Sequence, residues 1–218
     1  SMETLTKNGD DDFSFGLASL GRFRCNAFRQ RGTLAAVLRV VPFDLPDAKA
    51  LHIPEAVLNL STRKRGMALV TGPAGSGKTT TLACIINQIN QNRSGHIITL
   101  EDPIEYIHPH KNCLVTQREI ANDTCDFTHA LRASLRQAPD VILLGEMRDF
   151  ETIQTALTAA ETGHLLLSTL HTLGASKTID RIIDVFPASQ QQQVRIQLSM
   201  VLQAVVSQQL IPTLDGGI

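Results

Sequence analysis

Residues Gly72-Pro73-Ala74-Gly75-Ser76-Gly77-Lys78-Thr79 follow the pattern G-x-x-x-x-G-K-[ST], and their flanks narrow the folds open to this chain. An apolar run, Met67 to Val70, leads in, and a run with Leu82, Ile85, Ile86 and Ile89 on one helical face leads out. A glycine-rich loop between a strand and a helix lets backbone N–H groups converge on phosphate oxygens. The helix N-terminus adds partial positive charge. In such a loop Lys78 reaches the β- and γ-phosphates, the Thr79 hydroxyl can ligate Mg²⁺, and Thr80 follows in the first turn. Every fixed position is filled in the right context. The run therefore reads as a Walker A phosphate loop rather than a chance glycine-rich turn, and the chain as a binder of a nucleoside triphosphate.

The pattern after the loop alternates strand and helix. His96 to Leu100 and Cys113 to Thr116 read as strands, and a helical face follows at Phe127, Ala130, Leu131, Ser134 and Leu135. Val141 to Leu144 is short and wholly apolar, as a strand buried on both faces should be. A helix through Ile153, Ala156, Leu157 and Ala160 stops at Gly163, before the strand Leu165 to Leu170. Two helices close the pattern, one around Ile179, Ile182 and Ile183. The other opens at Pro187 and carries Val194, Leu198, Val201, Leu202 and Val205 on one stripe. This order predicts an α/β fold, a mostly parallel sheet flanked by helices.

Proline-punctuated sequence around residues 44–54 separates this core from a shorter N-terminal piece with strand-like segments at Phe23 to Phe28 and Leu34 to Val41. Two strands are too few for a stable domain, so residues 1–43 read as the end of a larger sheet domain, 44–54 as a linker and 55–218 as the core. Across 218 residues the hydrophobic content of 43% fits a soluble globular chain, and a net charge of −1 gives no global attraction to nucleic acid or anionic lipid. No apolar run approaches the roughly 20 residues that span a bilayer. The N-terminus lacks the apolar core of a secretion signal, so the expected location is cytoplasmic. Cys25, Cys84, Cys113 and Cys125 form no C-x-x-C pair and lie in or beside apolar sequence, so they read as buried structural thiols.

Ligands of open α/β sheets bind at the carboxyl ends of the strands, which makes the polar residues after each strand the catalytic candidates. Glu101-Asp102-Pro103-Ile104-Glu105 is the first group: carboxylates near a triphosphate either hold magnesium or activate water, or they form a solvated acidic turn. Gly145-Glu146 is the second, an acid ending a buried strand as in the Walker B logic, or alternatively an acid at a helix start. His171 is the third, a γ-phosphate sensor or a structural histidine. Arg22, Arg24, Arg29, Arg31 and Arg39 cluster in the N-terminal piece. They suit a solvated sheet face, a small nucleic-acid surface, or arginines supplied to a nucleotide on a neighbouring subunit.

From Gly72 to Pro187 the chain resembles the secretion ATPase superfamily that powers type IV pili and type II and IV secretion, most of all its pilus retraction (twitching motility) branch. The resemblance rests on the phosphate loop, the aspartate box at Ile98 to Glu105, the atypical Walker B at Gly145-Glu146, and the histidine box from Ala159-Ala160-Glu161-Thr162-Gly163-His164 to His171-Thr172. Val115 to Glu119 and Arg181 to Pro187 are similar to the retraction branch as well. The stretch Gly21 to Phe28, with Arg39, resembles the end of the family's PAS-like α+β domain. Missing C-x-x-C pairs argue against the extension and type II branches.

The resemblance implies a RecA-like core using ATP and Mg²⁺ in a hexameric ring. It implies Glu105 as general base, Glu146 as Walker B acid holding magnesium through water with Thr79, and His171 as sensor. Arg24 and Arg39 become the arginines that reach the nucleotide. The implied location is the cytoplasmic face of the inner membrane, and the implied partner is a pilus platform protein rather than nucleic acid. The alternatives are a pilus-assembly or secretion ATPase of the same superfamily, or a nucleic-acid-dependent motor.

Overall fold

The computed structural model describes residues 2–17, 21–41 and 44–212. They fall into two units: Ser1–Leu45 with Pro103–Ile107, and Pro46–Asp102 with His108–Ile218.

The first unit opens with helix α1 (Met2–Asn8) and continues as strands β1 (Asp10–Leu17), β2 (Gly21–Gln30) and β3 (Thr33–Val41). They form an antiparallel sheet in the order β1-β2-β3. Both residues joining β2 to β3 have positive φ, 47° at Arg31 and 81° at Gly32. That geometry belongs to a two-residue hairpin turn whose twist matches the strands. The sequence pattern anticipated β2 and β3 but not α1 or β1, because Asp10-Asp11-Asp12 opens β1 as a charge run. Side-chain pairing with β2 holds it: Phe15 stacks on Phe23 at 5.5 Å between ring centroids, and Asn26 donates to Asp12 Oδ1 at 3.1 Å.

The second unit contains α2 (Glu55–Leu58), β4 (Gly66–Thr71), α3 (Lys78–Asn92), β5 (Gly95–Glu101), β6 (Cys113–Glu119), α4 (Phe127–Ser134), β7 (Val141–Leu144), α5 (Phe150–Glu161), β8 (Leu165–Leu170), α6 (Ala175–Asp184), α7 (Ala188–Val201) and β9 (Leu202–Ser207). Its sheet has the order β6-β5-β7-β8-β4-β9, and every neighbouring pair is parallel. Successive strand side chains point to opposite faces. Met67 and Leu69 of β4 join Ile142, Leu144 and Leu166 in a core with residues of α4 to α7, whereas Ala68 and Val70 join Val141, Leu143, Leu165 and Leu167 against Leu82, Ile85, Ile86 and Ile89 of α3. Apolar burial on both faces explains why these strands read as unbroken apolar runs.

Helix starts are local. Asp126 caps α4 by accepting from His129 N at 2.7 Å, and Asp149 caps α5 by accepting from Thr152 N at 2.9 Å. Such caps contribute about 1 kcal/mol each.

Two expectations need correction. The closing helix ends at Val201, so Leu202 and Val205 lie not on its stripe but in β9, parallel to β4 with Val70 opposite Val206. Ala204, Val205 and Val206 alternate between the two cores, and a register shift at Gln203 puts Leu202 on the same core as Val205, so the segment also fits a helical period. Cys25, Cys84 and Cys113 are buried as expected, but Cys125 is exposed. It precedes the Asp126 cap in a polar loop, where its Sγ lies 3.2 Å from Asp126 Oδ2.

Candidate functional site

Parallel register brings the carboxyl ends of the strands to one edge. Thr71 pairs with Leu170 on one side and Ser207 on the other, and Leu144 pairs with Leu100 and Ser168. Beyond those ends stand Gly72, His171, Gln208, Gly145 and, after β5, Asp102.

The loop from Gly72 to Thr79 is shaped by its glycines. Gly72, Gly75 and Gly77 have φ of 148°, 77° and 83°, which residues with a Cβ rarely adopt. Gly77 is also the N-cap of α3 and carries no side chain to cap it, so the first-turn N–H groups are left to an anion. Lys78 is buried, and its ammonium donates to the Gly72 carbonyl at 3.0 Å and the Pro73 carbonyl at 2.8 Å. Ser76 Oγ within the loop and Thr71 Oγ1 at its entrance are buried without a hydrogen-bond partner. Phosphate oxygens would satisfy such groups, so the loop fits a polyphosphate. Thr79 and Thr80, at the start of α3, are half-buried. Among the described residues no cluster of three His, Cys, Asp or Glu could hold a metal by itself. A magnesium ion bound mainly through phosphates and water would need no such cluster.

Glu146 and His171 come together at this edge. Glu146 Oε2 lies 2.7 Å from Arg148 Nε and 3.6 Å from His171 Nε2, with the carboxylate largely sheltered and the other two side chains open to solvent. Gly145 lets β7 end close against β5, since a Cβ there would stand 3.1 Å from the Leu100 carbonyl. Thr169 ties β8 to the same turn by donating to the Gly145 carbonyl at 2.6 Å. Arg148 is a partner that the sequence pattern did not single out, although it stands two residues after the candidate acid. The histidine box divides: His164 precedes β8 at the opposite edge, its ring 3.0 Å from the Ala159 carbonyl, which is a structural placement.

The acidic group at the end of β5 divides too. Glu101 is buried and accepts from Thr99 Oγ1 at 2.6 Å and Gln117 Nε2 at 3.3 Å, while Asp102 and Glu105 are exposed. Glu105 belongs with the N-terminal unit. In that unit Arg24 and Arg39 are directly opposed across β2 and β3. Directly opposed like charges destabilise a sheet, and a bound anion would relieve them.

A phosphate loop at the carboxyl edge of a parallel sheet, with an acid and a histidine closing on the same edge, defines a P-loop nucleotide-binding protein. The family model described as "Type II/IV secretion system protein" matches residues 32–217, and the chain belongs to that family. It is 52% identical over 208 residues to the type IV pilus retraction ATPase PilT of Pseudomonas aeruginosa, covering 95% of this chain and 60% of that protein. It is 53% identical over 211 residues to a twitching motility protein of Neisseria gonorrhoeae, covering 97% of this chain and 56% of that protein. A crystal structure of the pilus retraction motor PilT with bound ADP superposes with a TM-score of 0.96 at 57% identity, covering 99% of this chain and 63% of that one. The chain thus spans less than two thirds of the length of these relatives.

Proposed function

We propose that this chain is the ATP-hydrolysing part of a type IV pilus retraction motor. The observation that carries the reading is the meeting of phosphate loop, Glu146 and His171 at one sheet edge, on a chain half identical to retraction ATPases. When bound, ATP supplies the γ-phosphoryl group, and Mg²⁺ neutralises charge on it. Backbone N–H groups from Gly72 to Thr80 hold the phosphates, and Lys78 leaves its loop carbonyls to reach them. Thr79 would hold the magnesium, and Glu146 would support it through water. Glu105 takes a proton from the attacking water as its oxygen bonds to the γ-phosphorus and the bond to the bridging oxygen breaks, leaving ADP and phosphate. His171, paired with Glu146, senses the γ-phosphate, and Arg24 and Arg39 stabilise the developing charge.

In this reading residues 1–43 contribute the end of a PAS-like domain, 44–54 the linker and 55–218 the ATPase core. The whole protein forms a hexameric ring on the cytoplasmic face of the inner membrane. There it works on a pilus platform protein and needs no nucleic acid.

Phosphate release by the whole protein, with and without Mg²⁺, tests the proposal. Glu105→Gln should lower kcat about 10²- to 10⁴-fold while a fluorescent ADP analogue still binds. Lys78→Ala should lose binding itself. Wild-type turnover by Glu105→Gln removes the base assignment. Strong stimulation by single-stranded DNA would instead make the protein a nucleic-acid motor.

A further inference from the structure

Gln208, the residue after β9, touches both ends of the phosphate loop. Its backbone N–H donates to the Thr71 carbonyl at 2.7 Å, extending the β4–β9 ladder one step past the strand. That step lays the Gln208 peptide over Gly72, where a Cβ would fall onto the Gln208 carbonyl. The side chain continues across the loop. Its Oε1 accepts from Thr81 Oγ1 at 2.8 Å, and its Nε2 lies 2.9 Å from where a Cβ on Gly77 would stand. Thr81, in the first turn of α3, is buried. The glycines that open and close the loop therefore make room for Gln208 as well as for phosphate. Next to it, Ser207 Oγ accepts from Gly174 N at 2.9 Å. Gly174 is the N-cap of α6 and ends the segment that begins at His171.

We infer that Ser207-Gln208 is a positioning pair. Gln208 sets the shape of the phosphate loop from outside it, and Ser207 holds the segment that carries His171. Neither touches the reacting atoms. Both act by fixing groups that do, which is the role of a supporting shell around a preorganised site. The inference rests on the proposed binding of nucleotide to the loop.

The test is titration of a fluorescent ADP analogue into the full chain, with melting followed by circular dichroism. Gln208→Ala and Thr81→Val should each weaken binding about tenfold, because each removes the same hydrogen bond across the loop. The double variant should be no weaker than either single one, since the two residues share one interaction. Thr81→Ser, which keeps the hydroxyl, should bind like the wild type. A purely structural effect would lower the melting temperature and leave the affinity of the folded chain unchanged. Binding within twofold of wild type for Gln208→Ala, or additive losses in the double variant, would overturn the assignment. If Gln208→Ala does not fold, the threonine pair decides: weak Val and tight Ser support the clamp, and equal affinities reject it. A wild-type chain that binds no ADP analogue overturns the nucleotide reading, and the clamp falls with it.

Discussion

His108 is buried between β5 and β6 in the chain, with its backbone N–H donating to Gln117 Oε1 at 2.7 Å and its Nδ1 lacking a hydrogen-bond partner. Burial, with the Lys111 ammonium second, pushes its imidazole down from 6.5 to about 4. The unfolded chain takes up a proton below pH 6.5 that the folded chain refuses until about pH 4, so this contribution to stability is complete above 6.5 and falls with pH through that window. The loss amounts to about 3 kcal/mol at its lower end. Denaturant midpoints between pH 7 and pH 4.5 should fall more steeply for the wild type than for His108→Leu. Equal slopes would mean that His108 titrates normally. At this scale the loop residues were legible because their pattern is itself the chemistry. Arg148 and Gln208 were not, since neither a salt bridge between turn residues nor a clamp from a distant strand leaves a periodic mark. Cys125 was misjudged because nearby apolar residues do not bury a side chain that precedes a helix cap.

Among the elements, the edge of the sheet depends on one buried side chain of α3. Asn90 donates to the Pro109 carbonyl at 2.7 Å and accepts from the N–H groups of Lys111 and Cys113, each at 3.2 Å. It thereby satisfies the backbone that leads into β6 and the first residue of that strand. Asn90→Ala leaves the buried Cys113 N–H without this acceptor and removes the two part-buried bonds, and should lower stability by about 2–3 kcal/mol. Urea unfolding would check this through a lower midpoint at an unchanged slope. β7 and β8 could be placed to the residue from sequence, because burial on both faces erases alternation and leaves plain apolar runs with sharp polar ends. β9 could not. Its spacing suits a helix as well as a strand, and only its place beside β4 decides between them.

At the scale of the whole molecule, the parallel core follows from the alternation of its elements, whereas the N-terminal sheet was only half visible. Its β3 is an edge strand with Leu34, Val37, Leu38 and Val40 all exposed. An exposed apolar edge templates pairing with another chain. Val37→Lys with Val40→Lys should reduce self-association of this chain, read as lower light scattering on concentration. Unchanged scattering would place the sticky surface elsewhere.

The β9 strand also orders events in time. Thr81 and its clamp Gln208 stand 127 residues apart, with the strands and helices of the sheet between them. During synthesis the phosphate loop leaves the ribosome before its outer support, with α3 to β9 made in between. A nascent chain thus carries the complete motif well before it has the strand that shapes it. The loop thus waits on β9, the strand beside β4, for its outer support.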